Sequence, residues 1–296
     1  VSTLARAEAA RLPAFFRAAA PDLAARLEAA LSAELTARTA PAGLATYAHT
    51  CPIPGQAPAA YALRALDLGL HGLAIAGIHF LGLDVTRPFV GVAARTHAWP
   101  EPAPVAAVLC AAFADFAPTA ARWFDAVPPG RADQHLVAER LTALQAAPRP
   151  RHFGDLRLRP ATAAVHARYA AMVARLSPAQ RALTAKETPQ SLTTCAAAGA
   201  LFTAEVDGLL AGLIAARPEP LLGLPAWVVV AEVLDAPFRG RGLGPAIQRH
   251  LVERLPGDGW LWGTIAAGNA PSLRTAARVG RRVIGGWGFI DVPPTR

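Results

Sequence analysis

Apolar residues near the start of the chain recur with the period of a helix. Pro21 precedes a run of leucines and suits the first turn of a helix, where its missing N–H costs nothing. The leucines stand at every fourth position and share one face: Leu23, Leu27, Leu31 and Leu35. This spacing predicts helices over residues 1 to about 40, with the leucine face in the core.

The pattern then changes to shorter apolar runs. Pro88 to Ala94 is predicted to be a strand, followed by a helix from about Pro104 to Phe124. The stretch Leu68 to Val85 approaches membrane-spanning length, but it contains two histidines and four glycines. These residues favour a buried strand and turn over a transmembrane helix. The first half is therefore expected to mix helix and strand.

Residues 146–154 break every periodic pattern and are the best linker candidate. A length of 296 residues is enough for two domains, predicted at 1–147 and 155–296. In the second domain we predict a strand at Asp155–Leu158 and helices to about Leu176. A hairpin should follow, with strands Ala200–Val206 and Leu209–Ala216 around the turn Asp207-Gly208.

The next strand leads into a glycine-rich loop. Ala226–Leu234 is almost continuously apolar, which predicts a central strand covered on both faces. The loop Arg239–Gly244 follows it, and apolar residues at helical spacing come next. Glycines let backbone N–H groups approach an anion, and a helix N-terminus adds partial positive charge. The loop is thus an anion-site candidate, the alternative being a turn that only connects two elements.

Two common nucleotide loops do not fit this segment. A Walker A loop needs Gly-Lys-Ser/Thr, and the chain has no lysine after Lys186. A dinucleotide fingerprint needs GxGxxG, whereas the glycines here are spaced GxGxG.

The loop does resemble another family. Arg239-Gly-Arg-Gly-Leu-Gly244 matches the Q/R-x-x-G-x-G/A signature of GNAT acyl-CoA N-acyltransferases, between a central strand and a helix. Asn269-Ala-Pro-Ser-Leu-Arg-Thr-Ala-Ala-Arg-Val-Gly280 resembles the second CoA-binding segment of that family. Trp260 to Ala267 and Val283 to Val292 would supply further strands. The resemblance covers the whole second half, about 140 residues.

The resemblance implies a set of ligand-binding residues. The backbone from Arg239 to Gly244 would bind the CoA pyrophosphate, with the guanidinium groups of Arg239 and Arg241 adding charged contacts. The residues of this loop are Arg239, Gly240, Arg241, Gly242, Leu243 and Gly244. The end of the central strand, through Val233 and Leu234, would pair with pantetheine and splay away from the Trp260 strand. Asn269 and Ser272 would flank the pantetheine arm, the alternatives being a helix N-cap for Asn269 and a polar residue of the first helical turn for Ser272.

Catalysis in the family is a direct transfer without an acyl-enzyme. Glu232 is the candidate base, since a carboxylate in so apolar a strand is costly unless it is paired or used. The alternative is a structural hydrogen bond or ion pair. The Tyr that often protonates the departing thiolate is replaced by Ala276. The proton donor is therefore open, and a thiolate is already a tolerable leaving group.

Composition adds few constraints. The net charge of +8 and pI of about 10.6 come from arginines scattered through an Ala-rich chain, so no dedicated nucleic-acid or membrane partner is expected. Cys51, Cys110 and Cys195 are far apart, which favours a reducing cytoplasm over disulfides. No signal peptide is recognised, and no metal-ligand spacing is present.

The fold prediction is α/β with a mixed sheet: a GNAT-like domain preceded by a mixed accessory domain, or by a degenerate copy of the same fold. The function predicted is acyl transfer from acetyl-CoA to a small-molecule or peptide amine. A CoA-binding sensor or scaffold without catalysis is the alternative. A tandem transferase that uses aminoacyl-tRNA is a third reading, which the intact glycine loop disfavours.

Overall fold

The protein is described here by a computed structural model covering residues 1–184 and 187–293. Lys186 lies outside the described residues. In chain order the first elements are α1 (Ser2–Arg11), α2 (Ala14–Ala18), α3 (Leu23–Thr39), α4 (Pro41–Thr50), β1 (Arg64–Asp67), β2 (Leu73–Phe80), β3 (Pro88–Arg95), α5 (Pro102–Ala111), β4 (Ala120–Asp125) and β5 (Arg131–Arg140). They are followed by α6 (Leu141–Ala146), β6 (Leu156–Pro160), α7 (His166–Ala174), α8 (Pro178–Ala182), α9 (Pro189–Ala197), β7 (Leu201–Val206), β8 (Leu209–Pro218), β9 (Ala226–Leu234), α10 (Leu243–Val252), β10 (Trp260–Ala266), α11 (Ala270–Val279) and β11 (Arg282–Asp291).

The chain forms two compact units. The first unit comprises Val1–His135 together with the C-terminal segment from Ile284, and the second comprises Leu136–Val283. The predicted linker, residues 146–154, lies inside the second unit. Whether residues 155–296 fold independently, as the sequence predicts, stays a prediction.

The first unit contains strands in the order β1-β2-β3-β4-β11. β3 and β4 are parallel and joined through α5, while β11 runs antiparallel to β4, with Gly286 opposite Asp125 and Asp291 opposite Ala120. Aromatic and aliphatic side chains of β2, β3, β4 and α5 form its core. The predicted leucine face of α3 is confirmed, since Leu23, Leu27 and Leu31 are buried.

One predicted element is wrong. The helix expected from Pro104 to Phe124 ends at Ala111, and Ala120–Asp125 is the strand β4. Ala117 adopts a left-handed conformation with φ of 49°, and Pro118 follows it. A proline disfavours the helical conformation of the residue before it and lacks the N–H that a helix needs. The chain therefore breaks here and re-enters the sheet.

The second unit contains strands in the order β6-β7-β8-β9-β10, and beside β10 the part of β5 that begins at Leu136. The hairpin at Asp207-Gly208 is confirmed, and both residues have positive φ, 52° and 76°, as a type I′ turn requires. β9 has the predicted bounds and lies between β8 and β10. Separate apolar clusters cover its two faces, as its continuous apolar sequence predicts.

The two units share a strand pattern. In each, antiparallel strands lead to a strand–helix–strand crossover with parallel strands, β3-α5-β4 and β9-α10-β10. The first strand of each crossover carries one extra residue against its antiparallel neighbour, Ala93 in β3 and Val230 in β9. Both extra residues are β-bulges, which reverse the inward and outward alternation of the strand beyond them.

Candidate functional site

The bulge at Val230 decides which way Glu232 points. Before it, Trp227 and Val229 pack on the core that includes α10. After it, Ala231 and Val233 pack on the opposite core, beside α7 and α9. The extra residue shifts the alternation by one. Glu232 therefore shares a face with Trp227 and Val229 and points toward α10.

β9 and β10 separate from Val229 onward, next to the bulge. Within the described residues, their pairing runs only from Trp260 opposite Ala226 to Trp262 opposite Val228. From Val229 onward the edge of β9 that faces β10 is not paired, so its backbone N–H and C=O groups can accept an extended ligand as a further strand does. The splayed strands thus leave a gap that ends at Gly263.

The glycine loop leads from β9 into the first turn of α10. Gly240 and Gly242 have φ of 73° and 77°, a left-handed conformation that side chains with a Cβ adopt only with strain. Gly242 is the N-cap of α10. Among the described residues, the N–H groups of Gly240, Arg241 and Gly242 make no backbone hydrogen bond. The loop therefore presents unpaired donors next to the positive end of a helix.

Two ionic side chains anchor this loop. The guanidinium of Arg239 donates to three backbone carbonyls: Leu234 at 2.8 Å, Met172 at 3.3 Å and Arg175 at 3.4 Å. Asp235, at the end of β9, accepts two hydrogen bonds from Arg175 at 2.7 and 2.8 Å. The Arg239 guanidinium is thus used to fix the loop, and its contact with a phosphate stays a prediction. Arg241 is exposed, with its guanidinium 5.5 Å from the ring centre of Phe238.

A groove of about 610 Å³ runs along the loop. The predicted residues that line it are Glu232, Val233, Leu234, Arg239, Gly240, Gly242, Leu243, Gly244, Asn269 and Ser272. Arg241 is not among the lining residues. Arg274 and Arg278 also line the groove, and they are exposed and have no ion-pair partner in the described part of the chain. Sequence reasoning missed both, although their spacing of four on a helix places them on one face.

Asn269 and Ser272 stand at the start of α11. The side chain of Asn269 accepts a hydrogen bond from the backbone N–H of Ser272 at 3.2 Å, so that Asn269 is the N-cap of the helix. Both residues line the groove. The capping alternative is therefore observed for Asn269, and its contact with pantetheine stays a prediction.

A polar network of the buried Gln248 and Arg281 with the partly buried Glu232 lies in the gap between the splayed strands. Gln248 of α10 donates through Nε2 to Glu232 Oε2 at 2.5 Å and accepts through Oε1 from Arg281 Nη2 at 2.8 Å. Burial raises the pKa of Glu232, and burial lowers the pKa of Arg281 to about 10. Sequence reasoning missed Gln248 and Arg281. They are 33 positions apart in the sequence and meet only through packing.

A second cavity of about 140 Å³ adjoins the groove at this network. It shares Glu232, Asn269 and Ser272 with the groove and extends to Gly263 and Arg281. The groove and this gap cavity form one path, from the exposed arginines of α11 past the glycine loop to the buried network.

Ala276, which stands where the resemblance predicts a tyrosine, does not reach the groove. Ala276 is fully buried against Val137 and Ile265. Tyr169 does line the gap cavity, but burial raises its pKa to about 12, which makes it a weak acid near neutral pH.

The fold can be compared with solved structures. Its structural neighbours are GNAT acetyltransferases. They include the GCN5-related N-acetyltransferase from Sphaerobacter thermophilus, with 12% identity and a TM-score of 0.49 over 75% of this chain and 77% of that chain. The tandem GNAT protein from the clavulanic acid biosynthesis pathway has 14% identity and a TM-score of 0.46, over 76% and 80% of the two chains. The GNAT-family acetyltransferase from Colwellia psychrerythraea has 10% identity and a TM-score of 0.49, over 84% and 94%.

No protein-family model and no curated protein matches the sequence. TM-scores below 0.5 at such low identity carry no information about activity.

Other side chains considered from the sequence form no comparable site. In residues 1–184 and 187–293, no group of three or more His, Cys, Asp or Glu residues could hold a metal ion. Cys51, Cys110 and Cys195 are buried free thiols, and burial raises the pKa of each. Within the same residues, every helix is too short or too polar to cross a bilayer.

Proposed function

We propose that the second unit is an acetyl-CoA-dependent N-acyltransferase that moves an acetyl or other short acyl group directly to an amine. One observation carries this proposal: the glycine loop with its unpaired N–H groups, the unpaired edge of β9 and the gap cavity follow one another along a single path. CoA has a diphosphate, an extended pantetheine arm and a terminal thioester in the same order.

Each part of the path suits one part of CoA. The N–H groups of the loop and the first turn of α10 bind the diphosphate. Arg274 and Arg278 lie on the same groove and attract the remaining phosphate. The unpaired edge of β9, from Val229 to Leu234, pairs with the amides of pantetheine in the manner of an added strand. The thioester then reaches the gap between β9 and β10.

Within the gap, Glu232 acts as the base. The amine nitrogen forms a bond to the thioester carbonyl carbon while the carbon–sulfur bond breaks. Glu232 takes the proton that the amine loses, directly or through water, and the CoA sulfur takes a proton from water. Burial raises the pKa of Glu232 and so increases its basicity. The carboxyl group is oriented by Gln248.

The first unit supports a second part of the proposal, that it is a degenerate copy of the same fold. It has the bulged strand and the parallel crossover, but residues 96–101, which join β3 to α5, contain no glycine. In addition, α1 occupies the backbone at the end of β3. Arg95 donates through its N–H to Glu8 at 2.9 Å, and its carbonyl accepts from Arg11 at 2.8 Å. The first unit therefore binds no CoA.

A CoA-binding protein without catalysis is the second candidate, favoured by the buried Ala276. Both candidates are tested by incubating the purified chain with acetyl-CoA and a panel of small-molecule and peptide amines, and following thiol release. The enzyme should release thiol faster with at least one amine than without, and acetylated amine should appear in equal amount. CoA binding without amine-dependent release would favour the second candidate. Absence of CoA binding would overturn both.

A further inference from the structure

Arg281 is a buried cation without a carboxylate in contact. Three arginines are buried in the described part of the chain: Arg95, Arg249 and Arg281. Arg95 forms an ion pair with Asp125, and Arg249 forms one with Glu253 at 3.4 Å. Among residues 1–184 and 187–293, Arg281 has no acidic group within 4 Å. It is exposed over only 4% of its surface.

The hydrogen bonds of Arg281 are also incomplete. Its Nη2 donates to the neutral amide oxygen of Gln248, and its Nε is buried without a partner in the described residues. A guanidinium offers five N–H donors, and a buried one is costly unless a negative charge and acceptors compensate it. The fold therefore maintains a buried guanidinium whose hydrogen bonds are incomplete.

This cation borders space that a substrate can enter. Arg281 lines the gap cavity of about 140 Å³, several times the roughly 30 Å³ of one water molecule. Its Nη1 lies 3.4 Å from the position that a Cβ on Gly263 would take. The guanidinium therefore lies next to the point where β9 and β10 begin to separate.

Glu232 does not cancel the charge by direct contact. It lies on the other side of the Gln248 amide, so its charge acts on Arg281 only at a distance. The gap cavity therefore has a carboxyl group at one end of Gln248 and an incompletely hydrogen-bonded guanidinium at the other.

We propose that Arg281 forms a subsite for a carboxylate carried by a substrate, at the closed end of the gap between β9 and β10. The proposal rests on the transferase function proposed above and narrows its substrate class. The carboxylate belongs either to a dicarboxylic acyl group on CoA or to the amine acceptor. Both sources supply the bidentate acceptor that suits a guanidinium.

The first arm of the test compares acyl groups of equal carbon number. Calorimetry measures the affinity of the chain for succinyl-CoA against butyryl-CoA, and for malonyl-CoA against propionyl-CoA. If the carboxylate is on the acyl group, the charged member of at least one pair should bind about tenfold tighter. CoA itself is titrated in parallel.

The second arm compares acceptors. Thiol release from acetyl-CoA is measured with β-alanine against propylamine and with glycine against ethylamine. If the carboxylate is on the acceptor, kcat/KM should be about tenfold higher for the carboxylated amine of one pair. The two arms thus identify which substrate carries the carboxylate.

Variants assign the preference to Arg281. Arg281→Met should reduce it to within about twofold, while Arg281→Lys should retain part of it. Arg157→Met is the matched control, because it removes an exposed arginine from β6 of the same unit and should leave the preference unchanged. If Arg281→Met fails to fold, the comparison of carboxylated with uncharged substrates in the wild type and in Arg281→Lys still tests the subsite. Absence of preference in both arms, with CoA still bound, would overturn the subsite alone. Absence of CoA binding would overturn the transferase as well.

Discussion

Arg239 Nε donates to the carbonyl oxygen of Leu234 at 2.8 Å, which ties the first residue of the glycine loop to the last residue of β9. The same guanidinium reaches Met172 and Arg175 at the end of α7. The loop is therefore held between a central strand and a helix while its N–H groups stay unpaired. A rigid set of donors binds an anion without first losing conformational entropy.

The glycines of this loop are open to a direct test. Gly240→Ala places a Cβ in a left-handed residue, which should cost roughly 1 kcal/mol in the free energy of unfolding and weaken CoA binding by about tenfold, since the methyl group enters the groove. Calorimetry and thermal unfolding measure the two effects. Gly208→Ala is the matched control, because its φ of 76° and open surroundings are similar and it lies in a hairpin away from the groove. If both variants bind CoA like the wild type, the loop is not the diphosphate site.

Charge on α11 should contribute to the same affinity. The double variant Arg274→Gln with Arg278→Gln should weaken CoA binding by about tenfold and make the remaining affinity less sensitive to salt. The effect should be smaller for dephospho-CoA if these arginines face the extra phosphate. Arg157→Gln, which removes an exposed arginine on β6, is the control. An equal loss for CoA and dephospho-CoA would assign the two arginines to the diphosphate instead.

Replacement of the base should change both activity and pH dependence. Glu232→Gln should lower kcat by about a hundredfold or more, as removal of a general base does. In the wild type, activity should rise with pH through the raised pKa of Glu232. Glu232→Gln should lose that rise, as pH–rate profiles for both proteins will check. An unchanged profile would contradict the assignment of Glu232.

The same carboxyl group should affect stability in a defined direction. Its pKa is raised in the folded protein, so folding favours the protonated form. The associated stability is fully present below the unfolded pKa and is lost as pH rises through the folded pKa. Glu232→Gln does not ionise, so its Tm relative to the wild type should increase between acid and neutral pH. A constant difference in Tm would contradict the raised pKa of Glu232.

Sequence patterns predicted the elements whose signals are local. β9 was predicted with its bounds because its apolar run has the length of one strand, and the hairpin because Asp207-Gly208 suits a left-handed turn. The helix predicted through Phe124 was wrong because Pro118 cannot continue a helix, although the residues around it are mostly apolar.

The parts that escaped prediction depend on distant pairing. The bulge at Val230 lies inside an almost continuously apolar run. Such a run has no alternation of polar and apolar residues that could show the extra residue. The buried network needs Gln248 and Arg281 to meet through the packing of α10 against the strands. The pairing of β11 with β4 places Gly286 opposite Asp125, far apart in the sequence, and no local spacing indicates it.

Stoichiometry gives a test of the central claim that one glycine loop binds one CoA. Titration of the purified intact chain with acetyl-CoA by calorimetry should show a single site per chain, with a Kd on the order of 1–100 μM. Two sites per chain would contradict the closed strand end at Arg95. Absence of binding up to about 1 mM acetyl-CoA would contradict the account as a whole.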